Sequence, residues 1–259
     1  MNTLTKCSTV FIMILMVFTT GSFQAAQNNN ETTRVKKILR KVDDLWRGSS
    51  SHAINVMTVK TKHYTRTLRM ESWSKGKEKS LIRILSPLKE KGVMTLKSGN
   101  SIYNYLPKTD RKIRLTSGMM MGSWMGSHFT NDDLVKESRL EEDYDTTISF
   151  EGKRKDKNII EFTLIPKSDA AVVWGKLVLE VYSKSLIPIK QVYFDEDMKI
   201  VRTIYFTGLK LLAGRQRPSV MRVVPEDKPN EYTEFIYESL ELNIDISEQF
   251  FSVSNLKRR

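Results

Sequence analysis

Tyr64-Thr-Arg-Thr-Leu-Arg-Met-Glu-Ser-Trp73 alternates in steps of two, with Tyr64, Arg66, Leu68 and Met70 on one side and Thr65, Thr67, Arg69, Glu71 and Trp73 on the other. In a strand, successive side chains point to opposite faces of the sheet, so this stretch reads as β. The habit continues outward. Ser80, Ile82 and Ile84 alternate with Leu81, Arg83 and Leu85. Turn formers separate the runs at Lys75-Gly76, Ser86-Pro87, Ser98-Gly99-Asn100 and residues 107–110. Residues 144–151 and 158–165 flank a charged turn beginning at Gly152, and residues 175–182 and 186–194 read as a hairpin. Residues 198–206 follow a tight Asp195-Glu-Asp197 turn, and residues 219–224 and 231–242 bracket a loop over 225–230. About a dozen short strands joined by turns predict an antiparallel sandwich or barrel.

Two stretches break the period of two. Val35, Ile38, Leu39, Val42, Leu45 and Trp46 recur at three- and four-residue steps, which predicts one amphipathic helix, capped by Thr32 or Thr33 and ended by Gly48. Its apolar stripe has to lie on the sheet. Residues 116–137 hold Gly118, Met119, Met120, Met121, Gly122, Trp124, Met125, Gly126 and Phe129, then Asn131-Asp-Asp-Leu-Val-Lys-Glu137. The second part reads as a short helix with Thr130 or Asn131 as its cap. The first part is apolar but too rich in glycine for a regular element, so the whole reads as an insert lying across the sheet.

The chain has 259 residues with a net charge of +12, and its single cysteine is Cys7. The start differs from the rest: Lys6, then the apolar run Val10-Phe-Ile-Met-Ile-Leu-Met-Val-Phe18, then small residues ending in Ala25-Ala26. That order is a secretory signal, with cleavage expected after Ala26 and residues 27–259 forming a single exported domain. An uncleaved anchor is the alternative, but the apolar run is shorter than the roughly 20 residues of a comfortable span. The exported chain then has neither a disulfide nor a thiolate ligand. Export argues against nucleic acid as the partner of so basic a protein and favours an anionic membrane surface or an acidic protein.

Signatures of catalysis are missing. The sequence contains no G-x-S-x-G elbow, no H-E-x-x-H pair, no phosphate loop and no G-x-G-x-x-G turn. The histidines are His52, His63 and His128; His128 lies near Asp132 and Asp133, but that trio lacks a supporting second cluster of ligands. Glu141-Glu-Asp143 reads as a solvated loop. Neither a catalytic residue nor a cofactor is expected.

The apolar residues say more. Methionine is unbranched and polarisable, so it repacks around apolar partners of different shapes, and it serves equally well as core filler. A curved antiparallel sheet covered by helices encloses more space than its own side chains need. The expected apolar ligand residues are Trp73, Met94, Leu96, Tyr103, Tyr105, Met119, Met120, Met121, Trp124, Met125 and Phe129.

Leu106-Pro-Lys-Thr-Asp-Arg-Lys-Ile-Arg114, followed by Met125-Gly-Ser-His-Phe-Thr-Asn-Asp-Asp-Leu134, resembles the signature of the outer membrane lipoprotein-sorting protein family. Trp73, residues 84–87 and residues 251–256 extend the resemblance, which covers roughly residues 64–256. It implies a LolA/LolB-like fold, an unclosed antiparallel β-barrel with a few helices, an N-terminal helix and a helical insert covering the concave face. It also implies a periplasmic carrier that shields the acyl chains of a lipoprotein or lipid. The alternatives are an accessory or sensor protein bound to a resistance-nodulation-division (RND) type inner-membrane transporter, and an exported lipid hydrolase. Where that family has an acid after Gly-Ser, this chain has His128, so no pinning role carries over to that position.

Overall fold

The computed structural model describes residues 17–44, 48–99, 101–131, 133, 140–168, 170 and 172–257, with side chains described from residue 30 onward apart from Ser117 and Lys257. The fold is mainly β. Thirteen strands form one antiparallel sheet in the order β6-β5-β4-β3-β2-β1-β13-β12-β11-β10-β9-β8-β7. They are β1 (Ser50–Lys60), β2 (Thr65–Lys75), β3 (Lys79–Ser86), β4 (Met94–Ser98), β5 (Ser101–Leu106), β6 (Arg111–Arg114), β7 (Tyr144–Arg154), β8 (Lys157–Pro166), β9 (Lys176–Tyr182), β10 (Pro188–Phe194), β11 (Ile200–Leu212), β12 (Arg215–Pro225) and β13 (Tyr232–Leu242). The sheet is unclosed, since β6 and β7 are its edges, and this decides between the sandwich and the barrel suggested by the strand count.

That order explains why an insert has to exist. β1 pairs with both β2 and β13, so the two ends of the folded chain meet mid-sheet and each half steps outward to its own edge. Residues 115–143 join β6 on one edge to β7 on the other, and Trp124 and Asp133 of that segment lie against the sheet between them.

The pairing registers show which side chains share that face. Val59, Thr233, Val223, Ile204, Gln191, Leu179, Phe162 and Ile148 are successive cross-strand partners from β1 to β7. A parallel row runs Leu68, Met57, Phe235, Met221, Phe206. These rows form the inner face.

Helix α1 (Val17–Asp43) covers one part of it. Val35, Ile38, Leu39 and Val42 are buried against Phe162, Leu164, Leu177, Leu179 and Val181, with Leu140 from the four-residue helix α2 (Leu140–Asp143) and with Tyr144. Each such aliphatic side chain contributes about 1.5–3 kcal/mol by leaving water. The stripe is the one its spacing predicts, but the bounds differ: Thr32 and Thr33 lie inside a helix that begins before them, and it stops at Asp43, ahead of Gly48. Nothing between Ala25 and Thr33 forces a start, because no proline or glycine interrupts the run. Leu45 and Trp46 lie outside the described residues.

Two turns also fall elsewhere than expected. β7 runs on through Gly152 to Arg154, and the hairpin turns at Lys155 and Asp156, with φ of 46° and 64°. A two-residue turn that matches strand twist needs positive φ at both positions, and here the chain takes it without glycine. β11 and β12 are longer than the alternation suggests, meeting at Ala213-Gly214. Gly208 hides their continuity: its φ is +65°, a Cβ there would lie 2.9 Å from Val220 Cγ2, and the local kink breaks the period of two.

The outer face of β2–β5 is covered by the C-terminal 3-10 turns Glu248–Phe251 and Val253–Lys257. Ile246, Phe251 and Leu256 pack there on Leu81, Met94 and Leu96.

Candidate functional site

The insert is anchored by one large side chain. Trp124 is 3% exposed and packs on Met57, Val59, Leu68, Met70 and Ile84 of the inner face. Its indole Nε1–H donates to Thr95 Oγ1 at 3.2 Å, which satisfies the one polar atom such a ring carries into a core. The flanking backbone is tied down as well. Trp124 N donates to Phe129 O at 2.8 Å, Tyr64 Oη donates to Gly126 O at 2.8 Å, and Arg66 Nη1 donates to Met125 O at 3.2 Å.

His128, the departure from the family pattern, makes its own connection. Its backbone N–H donates to Thr233 Oγ1 at 2.9 Å, its ring Nδ1 lies 2.8 Å from the same oxygen, and Nε2 lies 3.3 Å from Glu231 Oε2. The acid that grips the sheet is Asp133. Thr130 Oγ1 accepts from Asp133 N at 3.1 Å and Asp133 Oδ2 accepts from Thr130 N at 2.8 Å, a reciprocal cap with Thr130 as the N-cap residue. The same carboxylate accepts two bonds from Arg202 of β11, at 2.7 and 2.8 Å.

The Arg202 side chain is 6% exposed. Its guanidinium carbon sits 4.5 Å from the ring centroids of both Trp174 and Tyr193. Burial works to lower its pKa, but Asp133 and Tyr193 together outweigh burial and hold it above the ordinary value. Burial also pushes the Tyr193 hydroxyl up to about 12.

Between α1, the insert and the sheet lies a cavity of about 440 Å³. That is within the range of roughly 300–1,000 Å³ typical of small-molecule sites. Ile82 of β3 and Leu179 of β9 both line it, although β2, β1, β13, β12, β11 and β10 lie between them in the sheet, so the sheet curls around the space. One wall is apolar, with Leu179, Ile204, Phe206, Met221, Phe235 and Tyr237; the other is polar and small, with Ser51, Asn55, Ser72, Ser74 and Ser80.

The expected ligand residues fall into three places. Trp73, Met94, Leu96, Tyr103 and Tyr105 belong to the outer-face cluster under the C-terminal turns. Of these, Trp73 also lines the cavity, while its ring stacks on His52 at 5.4 Å and meets Phe250 in a tilted contact at 5.3 Å. Trp124, with Met125 packed beside it, fills the core beneath the insert, and Phe129 is half-buried within the insert. Met119 and Met121 are exposed at 45% and 59%, and Met120 is half-buried. The cavity wall itself is built from β11–β13 residues and the serines, which alternation alone cannot assign to a face. β4 is buried on both sides, so its apolar residues carry no sign of which side they occupy.

No group of His, Cys, Asp or Glu among the described residues is arranged to hold a metal ion, and no helix among them is long and apolar enough to cross a membrane.

A curled, unclosed antiparallel sheet with a helix and an insert over its inner face is the LolA-like fold. The same fold is found in a domain assigned to outer membrane lipoprotein sorting from Vibrio parahaemolyticus, at 21% identity and a TM-score of 0.73 over 86% of this chain and 98% of that chain. A DUF1329 family protein from Desulfovibrio piger is similar at 20% identity and a TM-score of 0.76, over 87% and 99% of the two chains. A LolA superfamily protein from Nitrosomonas europaea is similar at 20% identity and a TM-score of 0.70, over 84% and 97%. The chain belongs to the family whose model, described as "Uncharacterized protein", matches residues 76–258. Comparison with curated proteins found no match.

Proposed function

We propose that residues 27–259 act as a single-domain periplasmic carrier that shields an acyl chain of a lipid or lipoprotein in the cavity and passes it between membranes. The observation that carries this is the half-apolar cavity of about 440 Å³ inside the curled sheet. Each methylene moved from water into such a space gains about 0.8 kcal/mol, so hydrocarbon is held without a catalytic or metal group. The secretory pattern of residues 1–26 supports the compartment, and the sorting domain from Vibrio parahaemolyticus, which shares the fold, supports the cargo class. Native mass spectrometry of the protein purified from its secreted pool without detergent is expected to show a complex heavier than the chain by one acylated molecule. Protein that is uniformly empty, and stays empty after incubation with lipid extract, overturns the proposal.

An anionic membrane surface is the proposed site of exchange. Residues 198–225 carry no acid, and Lys210 and Arg215 stand exposed at the tip of the β11–β12 hairpin. The far end of the β11–β12 hairpin passes beyond the pairing of its neighbours, which ends at Tyr205 and Val220. There Leu209 and Leu211 are 56% and 71% exposed beside Lys210 and Arg215. Apolar tips among cations suit a bilayer bearing negative charge. The double variant Leu209→Ser with Leu211→Ser is expected to cut sedimentation with phosphatidylglycerol vesicles several-fold, and binding of the unaltered protein should weaken as salt rises. Equal sedimentation with neutral vesicles would remove this part of the proposal.

A further inference from the structure

Among the described residues, the polar wall of the cavity holds a hydrogen-bonding atom that is left unanswered. Asn55 is 1% exposed, and its Oδ1 is buried without a partner. The neighbouring network sets which end of the amide is left over. Ser72 Oγ donates to Ala53 O at 3.5 Å, so its oxygen accepts from Asn55 Nδ2 at 2.7 Å, and Asn55 Oδ1 remains. Ser51 and Ser74 satisfy one another at 2.7 Å. A buried acceptor left unpaired costs the protein stability that a suitable donor restores.

The charge of the cavity narrows the chemistry further. In a chain with net charge +12, the described lining contains no Lys, Arg or His and includes Asp43 and Asp133. Asp133 is already neutralised by Arg202. A carboxylate or phosphate entering here would meet no cation among the described lining residues and would set its oxygens against Asn55 Oδ1. A hydroxyl or an amide N–H would supply the missing donor.

Resting on the acyl-carrier proposal, we infer that the cargo carries an uncharged hydrogen-bond donor next to its hydrocarbon, seated on Asn55, while the chain lies along Ile204, Phe206, Met221 and Phe235. Hydroxyl-headed and amide-headed acyl compounds share this chemistry. A site built to bond a donor discriminates against analogues that lack one, because its own buried acceptor is then left bare.

Displacement of a fluorescent acyl probe from the full exported chain tests it with four ligands of equal chain length: monolauroyl glycerol, dodecanamide, methyl dodecanoate and, at alkaline pH, dodecanoate. Methyl dodecanoate is neutral but has no donor, so it separates the donor from the charge. The two donor-bearing ligands are expected to bind about tenfold more tightly than the other two, the ratio one net hydrogen bond provides. Which of the two leads tells hydroxyl from amide. Asn55→Leu, similar in size, should bring the three uncharged ligands together while the probe still binds. Methyl dodecanoate or dodecanoate matching the donor ligands on the unaltered protein overturns the inference, as does a preference for the donor ligands over methyl dodecanoate that survives Asn55→Leu. If Asn55→Leu does not fold, the four-ligand comparison on the unaltered protein decides alone. Failure of the probe and of every ligand to bind defeats instead the acyl-carrier proposal beneath it.

Discussion

Asp133→Ala is expected to destabilise the protein by about 3–5 kcal/mol, the usual cost of stripping one partner from a buried ion pair. Arg202 would keep its charge in a site that is 6% exposed, with Trp174 and Tyr193 at its faces and with the Tyr193 hydroxyl and the backbone oxygen of His128, at 3.3 Å, but no carboxylate from Asp133, to receive it. Loss of the reciprocal cap with Thr130 adds about 1 kcal/mol. Urea unfolding measures the sum. The double variant Arg202→Met with Asp133→Leu separates the causes, because two apolar residues of similar volume leave no stranded charge and should recover most of the ion-pair cost. A single variant as stable as the parent would mean that the insert is not held to β11 by this pair. The effect should extend to binding, since the pair ties the insert to the strand that supplies Ile204 and Phe206 to the cavity.

Phe206→Asp is expected to abolish most acyl binding while leaving the fold standing. Phe206 is half-buried on the cavity wall, so a carboxylate there can stay hydrated while the cavity is empty, but bound hydrocarbon would strip its water. A loss of more than about a hundredfold follows if roughly 3 kcal/mol of desolvation opposes binding. A chain-length series on the unaltered protein supplies the companion measurement: affinity should rise about fourfold for each added methylene until the cavity is full, then level off. Affinity indifferent to chain length, or a Phe206→Asp variant that binds as the parent does, would place the hydrocarbon elsewhere.

Much of the fold is legible in the sequence. Alternation in residues 64–73 and 80–85 places β2 and β3, and the three-four spacing from Val35 to Val42 selects the face of α1 that is buried. Residues 116–137 read as an insert because no regular pattern accommodates Gly118, Gly122 and Gly126. Where the pattern misleads, a local backbone feature is responsible: Gly208 in a left-handed conformation disguises the length of β11, and Lys155-Asp156 turns the β7–β8 hairpin without glycine.

The site was less legible, because composition marks apolar residues without saying which face they occupy. Met94, Leu96, Tyr103 and Tyr105 lie beneath the C-terminal turns, and Thr95 on the same strand meets Trp124 on the other side. Asn55 and the serines near it look like unremarkable strand residues in sequence. Arg202 and Asp133 are separated by 69 positions, and nothing local announces their pairing.

By itself the sequence determined the β character of the chain, its one long helix and the presence of an irregular crossing segment, because periodicity and turn chemistry act over a few residues. Only the tertiary structure decided that the strands form a single unclosed sheet, that its curl leaves a cavity, and that the cavity is walled by Asn55, Ile204, Phe206, Met221 and Phe235. Those outcomes depend on pairings between distant strands, such as β1 with β13, and on which face the crossing segment covers. Long-range register sets both, and a sequence window a few residues wide does not contain it.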